Sequence, residues 1–267
     1  MLPACAFWEV DGWDDHPNAP VDDAGLEAGL DGGADAPPAF CRHTDARVLV
    51  CEGFDEESPD WLETKTCSTC DASIGPTDAG NAPSRPNVLF VSSRSEDGAA
   101  VSIANVKSFD ADLQSVTSDF WFYVDTATSN GVPAIQDLQY QADVENYIRV
   151  RVTLAAGDLS VDFVVAYVED RALKVTFPFQ TKTPVQPGVW HRVHYTIRSN
   201  DGPPRYTWRV DDELVNGSDD ALIPNGEKVA GKFTHVELIT GIEYVGGYQP
   251  DAGKTAVRVD SVLLTTP

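Results

Sequence analysis

The side chains of this 267-residue chain that could do chemistry are aromatic, basic and acidic residues set two apart in short runs. In SDFWFYVDT (118–126), Trp121 and Tyr123 alternate with Phe120, Phe122 and Val124. An extended backbone turns such pairs to opposite faces, so both rings join the polar side. Two rings on an open face make a platform on which a pyranose stacks; beneath a covering loop they would be a second core. ENYIRVRVTL (145–154) likewise sets Tyr147, Arg149 and Arg151 against Ile148, Val150, Val152 and Leu154. His194 and Arg209, with Arg192, belong to further alternating runs. Guanidinium groups on one face of an acidic protein would recognise an anionic sugar, or else form an outward ion-pair network. The candidate carbohydrate-binding residues are therefore Trp121, Tyr123, Tyr147, Arg149, Arg151, His194 and Arg209.

Nucleophilic catalysis has no support. His16, His43, His191, His194 and His235 stand near no Gly-x-Ser-x-Gly, and His191 and His194, three apart on a strand, face opposite sides. Glu169-Asp170 and Asp211-Asp212-Glu213 are consecutive acids at strand ends and read as solvated turn residues. Trp190 and Trp208 are expected in the core.

Five cysteines point outside the cytosol. Cys41, Cys51, Cys67 and Cys70 cluster ahead of a long Cys-free stretch, which reads as a disulfide staple. Zinc would want a pair-of-pairs spacing that these residues lack. Of the three pairings, a hairpin folded about residues 55–56 brings Cys41 opposite Cys70 and leaves Cys51 for Cys67. Cys5 ends LPAC (2–5), which resembles the close of a bacterial lipoprotein signal, with that cysteine as the lipidation site. No run of about 20 apolar residues could span a membrane.

The 42 acids against 19 bases give a net charge of −23, which excludes nucleic acid and an anionic membrane surface as partners. No Lys or Arg precedes Arg42, and residues 14–38 carry hardly any large apolar side chain. Such a segment cannot offset its ordering entropy, so residues 1–40 are expected to be a disordered acidic spacer behind the lipobox-like start.

The elements that must position the candidates lie in residues 41–267. From residue 47 onward, runs rich in Val, Ile, Phe, Tyr, Trp and Thr recur between Gly, Pro, Asn and Asp clusters. Beyond the two runs quoted, strands are expected at 87–93, 100–107, 133–141, 159–168, 171–179, 189–198, 204–211, 233–240 and 255–265. The segment 73–86 reads as a loop inside the domain. No apolar period of 3.6 is sustained, so helix should be scarce. Ten or more antiparallel strands with one apolar face each require two sheets packed face to face: an all-β jelly-roll β-sandwich, expected as a monomer.

Four segments carry a family likeness: VLVCEGFDEESPDW (48–61), SDFWFYVD (118–125), GVWHRVHYTI (188–197) with YTWRVDDELV (206–215), and AVRVDSVLL (256–264). In order and spacing they resemble the concanavalin A-like, laminin G-like jelly rolls. With the lipobox-like cysteine and its spacer, the chain is similar to bacterial surface lipoproteins. The resemblance implies a groove on a concave sheet, used by different members for oligosaccharides or proteins. Hydrolases of this fold carry Glu-x-Asp-x-Glu or Glu-x-Asp-x-x-Glu on one strand, which no strand here has. Lyases of the fold use Arg, Gln, His and Tyr, but their motifs are not matched in series. The resemblance also implies a structural calcium ion pinning the ends of the domain, with Asp260 and either Asp55 or Glu52 as ligands. The expectation is a non-catalytic adhesion domain for a glycan at a cell surface. The alternatives are a polysaccharide-cleaving enzyme of the same fold and a structural surface protein without a small ligand.

Overall fold

The computed structural model describes residues 47–54, 61–67, 70–79, 81–84, 87–94, 100–109, 112–127, 132–155, 157–177, 180–200, 202–245 and 253–267. The acidic spacer, Cys5, Cys41 and Asp55 lie outside the described residues. Period-two runs form strands here because β-branched and aromatic side chains pack best on a pleated surface with one face buried. In chain order the strands are β1 (Arg47–Glu52), β2 (Leu62–Lys65), β3 (Asp71–Pro76), β4 (Asn87–Arg94), β5 (Ala100–Ser108), β6 (Ser115–Ala127), β7 (Val132–Asp143), β8 (Asn146–Ala155) and β9 (Asp158–Glu169). They continue as β10 (Ala172–Thr176), β11 (Gln180–Pro184), β12 (Trp190–Arg198), β13 (Arg205–Val210), β14 (Glu213–Leu214), β15 (Ala221–Leu222), β16 (His235–Val245) and β17 (Lys254–Thr266). Among the described residues the helical content is one 3-10 turn at Gly226–Lys228.

The first sheet runs β14-β13-β12-β6-β17-β4-β3, with β1 on β17 and β15 on β13. The second runs β10-β9-β8-β7-β16-β5-β2, with β11 on β9. All pairings are antiparallel. Long strands take two short partners end to end: β17 holds β4 through Lys254–Val259 and β1 through Val262–Thr266. The inner faces meet in one core that includes Phe120, Phe122, Leu138, Ile148, Phe163 and Trp208. A polar link crosses it: Ser118 Oγ and Tyr195 OH, from the first sheet, both donate to Gln136 Oε1 on β7, at 2.9 and 3.0 Å. Two Asp-containing pairs, Asp170-Arg171 and Asp211-Asp212, take positive φ in the two-residue β9–β10 and β13–β14 turns. That geometry matches the right-handed strand twist and is one that Asp tolerates.

Three expectations need correction. The segment 73–86 is not all loop: its start belongs to edge strand β3, which pairs with β4. Cys67 is bonded to Cys70, with Cα atoms 5.5 Å apart, and Cys51 is disulfide-bonded as well. The nested pairing assumed a hairpin about residues 55–56, but β1 pairs with β17 and β2 with β5, so that hairpin does not exist and its flanks go to different sheets. Trp208 is in the main core, whereas Trp190 is buried on the outer side of the first sheet, in a smaller cluster with Ala79, Ala82 and Val88.

Candidate functional site

Strand parity assigns the candidate residues to two different faces. Trp121 and Tyr123 on β6 pair with Arg192 and Trp190 on β12, and His194 pairs with Arg209 on β13. All six point outward from the first sheet. Tyr147, Arg149 and Arg151 on β8 pair with Gln141, Gln139 and Asp137 on β7, pointing outward from the second. The seven residues therefore form no single site.

The outer face of the first sheet is occupied. Trp121 and Tyr123 are half-buried against Ala79, Ala82, Val88 and Trp190, so they form the covered second core rather than an open platform. Arg258 fastens the cover: it donates to Thr77 Oγ1 at 2.7 Å and Asp78 at 2.8 Å, pairs with Asp125, and lies 5.9 Å from the Tyr123 ring centre. Beside this cover, Asp119 receives Arg192 in a two-pronged pair at 2.9 and 2.5 Å, and lies 3.3 Å from His194 Nδ1. Burial works to raise the Asp119 pKa, but hydrogen bonds from His194 and Arg192 outweigh it, and the carboxyl stays below its ordinary value. His191, on the inner side, lies 2.7 Å from Asp211 through Nδ1 and 2.9 Å from the Gln186 carbonyl through Nε2. With both ring nitrogens engaged, it braces two turns.

The second sheet differs. Asp137, Gln141, Thr153, Ser160, Val164 and Ala166 all point away from the core, yet all are buried. These residues form the shielded floor of that face, a shallow recess among the longer, partly exposed side chains of Tyr147, Arg149, Arg151, Glu237 and Glu243. At its centre Asp137 is 2% exposed and its Oδ2 takes three N–H contacts: Arg149 Nε at 2.6 Å, Arg149 Nη2 at 2.5 Å and Arg151 Nε at 3.1 Å. Its Oδ1 is buried and has no hydrogen-bond partner among the described residues. Arg149 Nη2 also reaches Glu243 Oε2 at 3.4 Å, and Glu237 completes the acidic lining from β16. Burial, reinforced by the Asp137 charge, raises the pKa of both Glu237 and Glu243. Burial alone would lower Arg149, but Asp137 overcomes it and holds the guanidinium firmly charged.

Two irregularities aim these groups. The β7–β8 register shifts between Ala134 and Gln136, and the β7–β16 register shifts between Thr240 and Glu243. Such bulges bend strands and redirect side chains. Gly241, at φ 153°, lies inside the second shift: a Cβ there would stand 2.4 Å from the Val101 carbonyl oxygen. Only glycine lets β16 approach β5 this closely.

Sequence reading missed Asp137, Gln139, Glu237 and Glu243. The available signal was Asp137, Gln139 and Gln141 alternating within an otherwise apolar strand.

Two of the residues expected to hold calcium, Asp260 and Glu52, accept hydrogen bonds that tie loops to the strands. Asp260 Oδ2 accepts from Ser84 N at 2.8 Å and Oδ1 accepts from Ser84 Oγ, while the Ser84 hydroxyl also reaches the Gly53 carbonyl at 3.1 Å. Glu52 accepts from Phe54 N at 2.7 Å and Trp61 Nε1 at 3.2 Å. No group of three His, Cys, Asp or Glu side chains converges among the described residues.

No family model matches the chain, and no curated protein matches it. Solved structures do. One titled "Cellulose induced protein, Cip1" aligns over 80% of this chain and 96% of its own at 14% identity, with a TM-score of 0.52. The CBM2 module of the evolved Dit of Lactobacillus casei BL23 phage J-1 aligns over 83% and 96% at 9% identity, with a TM-score of 0.51. The fold shared with them is a two-sheet antiparallel jelly-roll β-sandwich. Among the described residues no helix is long and apolar enough to cross a membrane.

Proposed function

We propose that this chain is a non-catalytic carbohydrate-binding domain working at a cell surface, with the recess of the second sheet as its binding face. The observation that carries the reading is the outward face of that sheet, where partly exposed charged and amide side chains stand around the buried Asp137. Tyr147, Arg149 and Arg151 from β8, with Gln139 from β7 and Glu237 and Glu243 from β16, offer donors and acceptors fixed by their neighbours. Such preorganised polar groups hydrogen-bond sugar hydroxyls without an ordering penalty at the moment of binding. A module titled CBM2 shares the fold, which is in keeping with the reading. The disulfide-bonded cysteines suit an oxidising compartment, and Cys5 as a lipid anchor belongs to the same proposal. Cleavage is the weaker reading, because Asp137, the carboxylate whose charge acts on Glu243, is buried and spent on two arginines.

The full chain on a glycan array tests this. Retention on a sugar with no reducing-end or unsaturated product is the expected result. Tyr147→Ala should weaken retention at least tenfold, whereas Trp121→Ala should leave it within about twofold. The reverse pattern would move the site to the first sheet, product release would make the chain an enzyme, and no retention would leave a structural protein.

A further inference from the structure

Resting on the recess as a sugar site, we infer that it selects uncharged glycans and rejects uronates. Two arginines on an outward face would ordinarily point to an acidic sugar. Here both guanidiniums are already committed: Arg149 to Asp137 and Glu243, Arg151 to Asp137. Across the four central strands β16, β7, β8 and β9 the outward rows carry Glu237, Glu243, Asp137 and Asp162 against Arg149 and Arg151. Carboxylates thus outnumber guanidiniums, within a chain of net charge −23.

A uronate entering this hollow would meet that excess in a poorly screened setting, where like charges repel most strongly. To take the two-pronged pairing through which Arg149 Nε and Nη2 hold Asp137, it would have to displace that residue, which is 2% exposed. Displacement would strand a buried carboxylate whose second oxygen already has no partner among the described residues, and the N–H groups left over are ones a hydroxyl can use as well. A neutral sugar meets neither obstacle. Its hydroxyls donate to Glu237 and Glu243 and accept from the guanidinium N–H groups that Asp137 and Glu243 do not use, each carboxylate having about four acceptor sites and each guanidinium five N–H groups. The ion pairs then act as a rigid frame, with ligand bonds formed at their outer edge.

Titration calorimetry of the full chain decides this, with matched hexasaccharides: neutral cello-, xylo- and manno-oligosaccharides against oligo-alginate and oligo-galacturonate, at about 20 and 300 mM NaCl. We expect at least one neutral series to bind at least tenfold more tightly than either uronate series. Affinity for it should change less than about threefold with salt, because no net charge is neutralised on binding. Glu237→Gln with Glu243→Gln keeps shape and removes two charges, and should narrow the neutral-to-uronate ratio at least fivefold. A uronate series bound more tightly than every neutral one, and weakened by Arg149→Ala, would overturn the inference while sparing the recess as the site. Binding that tracks Trp121 instead of Tyr147, or no binding of any series, would overturn the site itself.

Discussion

At the scale of single residues, Asp137 decides how the second sheet behaves. A carboxylate this deeply buried is tolerable only because Arg149 and Arg151 supply three N–H contacts to one oxygen. Glu237 and Glu243 sit in its field, and their raised pKa values fix a pH dependence. Folding favours their neutral forms, so the folded chain binds protons that the unfolded chain releases, and this part of the stability falls as pH rises above the ordinary value of 4.5. Buried Asp260 acts in the same direction, while Asp119, whose pKa is lowered, acts oppositely and loses its contribution as pH falls below the ordinary value of 3.8. The Glu237→Gln, Glu243→Gln double variant should therefore lose less melting temperature than the wild type between about pH 4.5 and 7. Parallel melting curves across that window would contradict the assignment.

At the scale of the element, β16 and β7 owe their shape to paired bulges that meet at Ala134–Gln136 and Thr240–Glu243. The bulges depend on Gly241, whose missing side chain lets the Val101 carbonyl and Ser102 come within what would be a severe clash. Gly241→Ala should destabilise the fold by about 2–3 kcal/mol, through overpacking against rigid backbone and a left-handed φ that alanine resists. Chemical denaturation reads this directly; a loss below about 0.5 kcal/mol would mean that β5 yields easily. Much of this level was legible beforehand. The period-two runs at 118–126 and 145–154 became β6 and β8 with their apolar rows inward. The short strands β2, β3, β11, β14 and β15 were missed, because two to six residues at a sheet edge bury little and leave hardly any alternation to read.

At the scale of the whole molecule, the two sheets share one interior, and Ser118, Gln136 and Tyr195 join them across it. A single core melts as a unit. Phe120, fully buried at its centre, tests this: Phe120→Ala should cost about 3–5 kcal/mol through transfer and cavity terms together. The fluorescence of the six tryptophans, three of them (Trp121, Trp190 and Trp208) in the first sheet, should then shift in step with far-ultraviolet dichroism, which reports both sheets. Separate midpoints would mean two cores.

The amino-acid order alone determined the strand class, the inward and outward rows and the turn chemistry, because each depends on neighbours within a few residues. It also determined that Tyr147, Arg149 and Arg151 share a face. Tertiary structure decided which faces are open. Trp121 and Tyr123 are covered because Arg258, far along the chain, ties down the segment around Thr77 and Asp78. The arginines of β8 are neutralised because β7 and β16 bring Asp137 and Glu243 beside them. Disulfide pairing was settled the same way, since β1 and β2 left for different sheets. Alternation is a local property of an extended backbone, whereas access and charge balance depend on residues that only folding brings together.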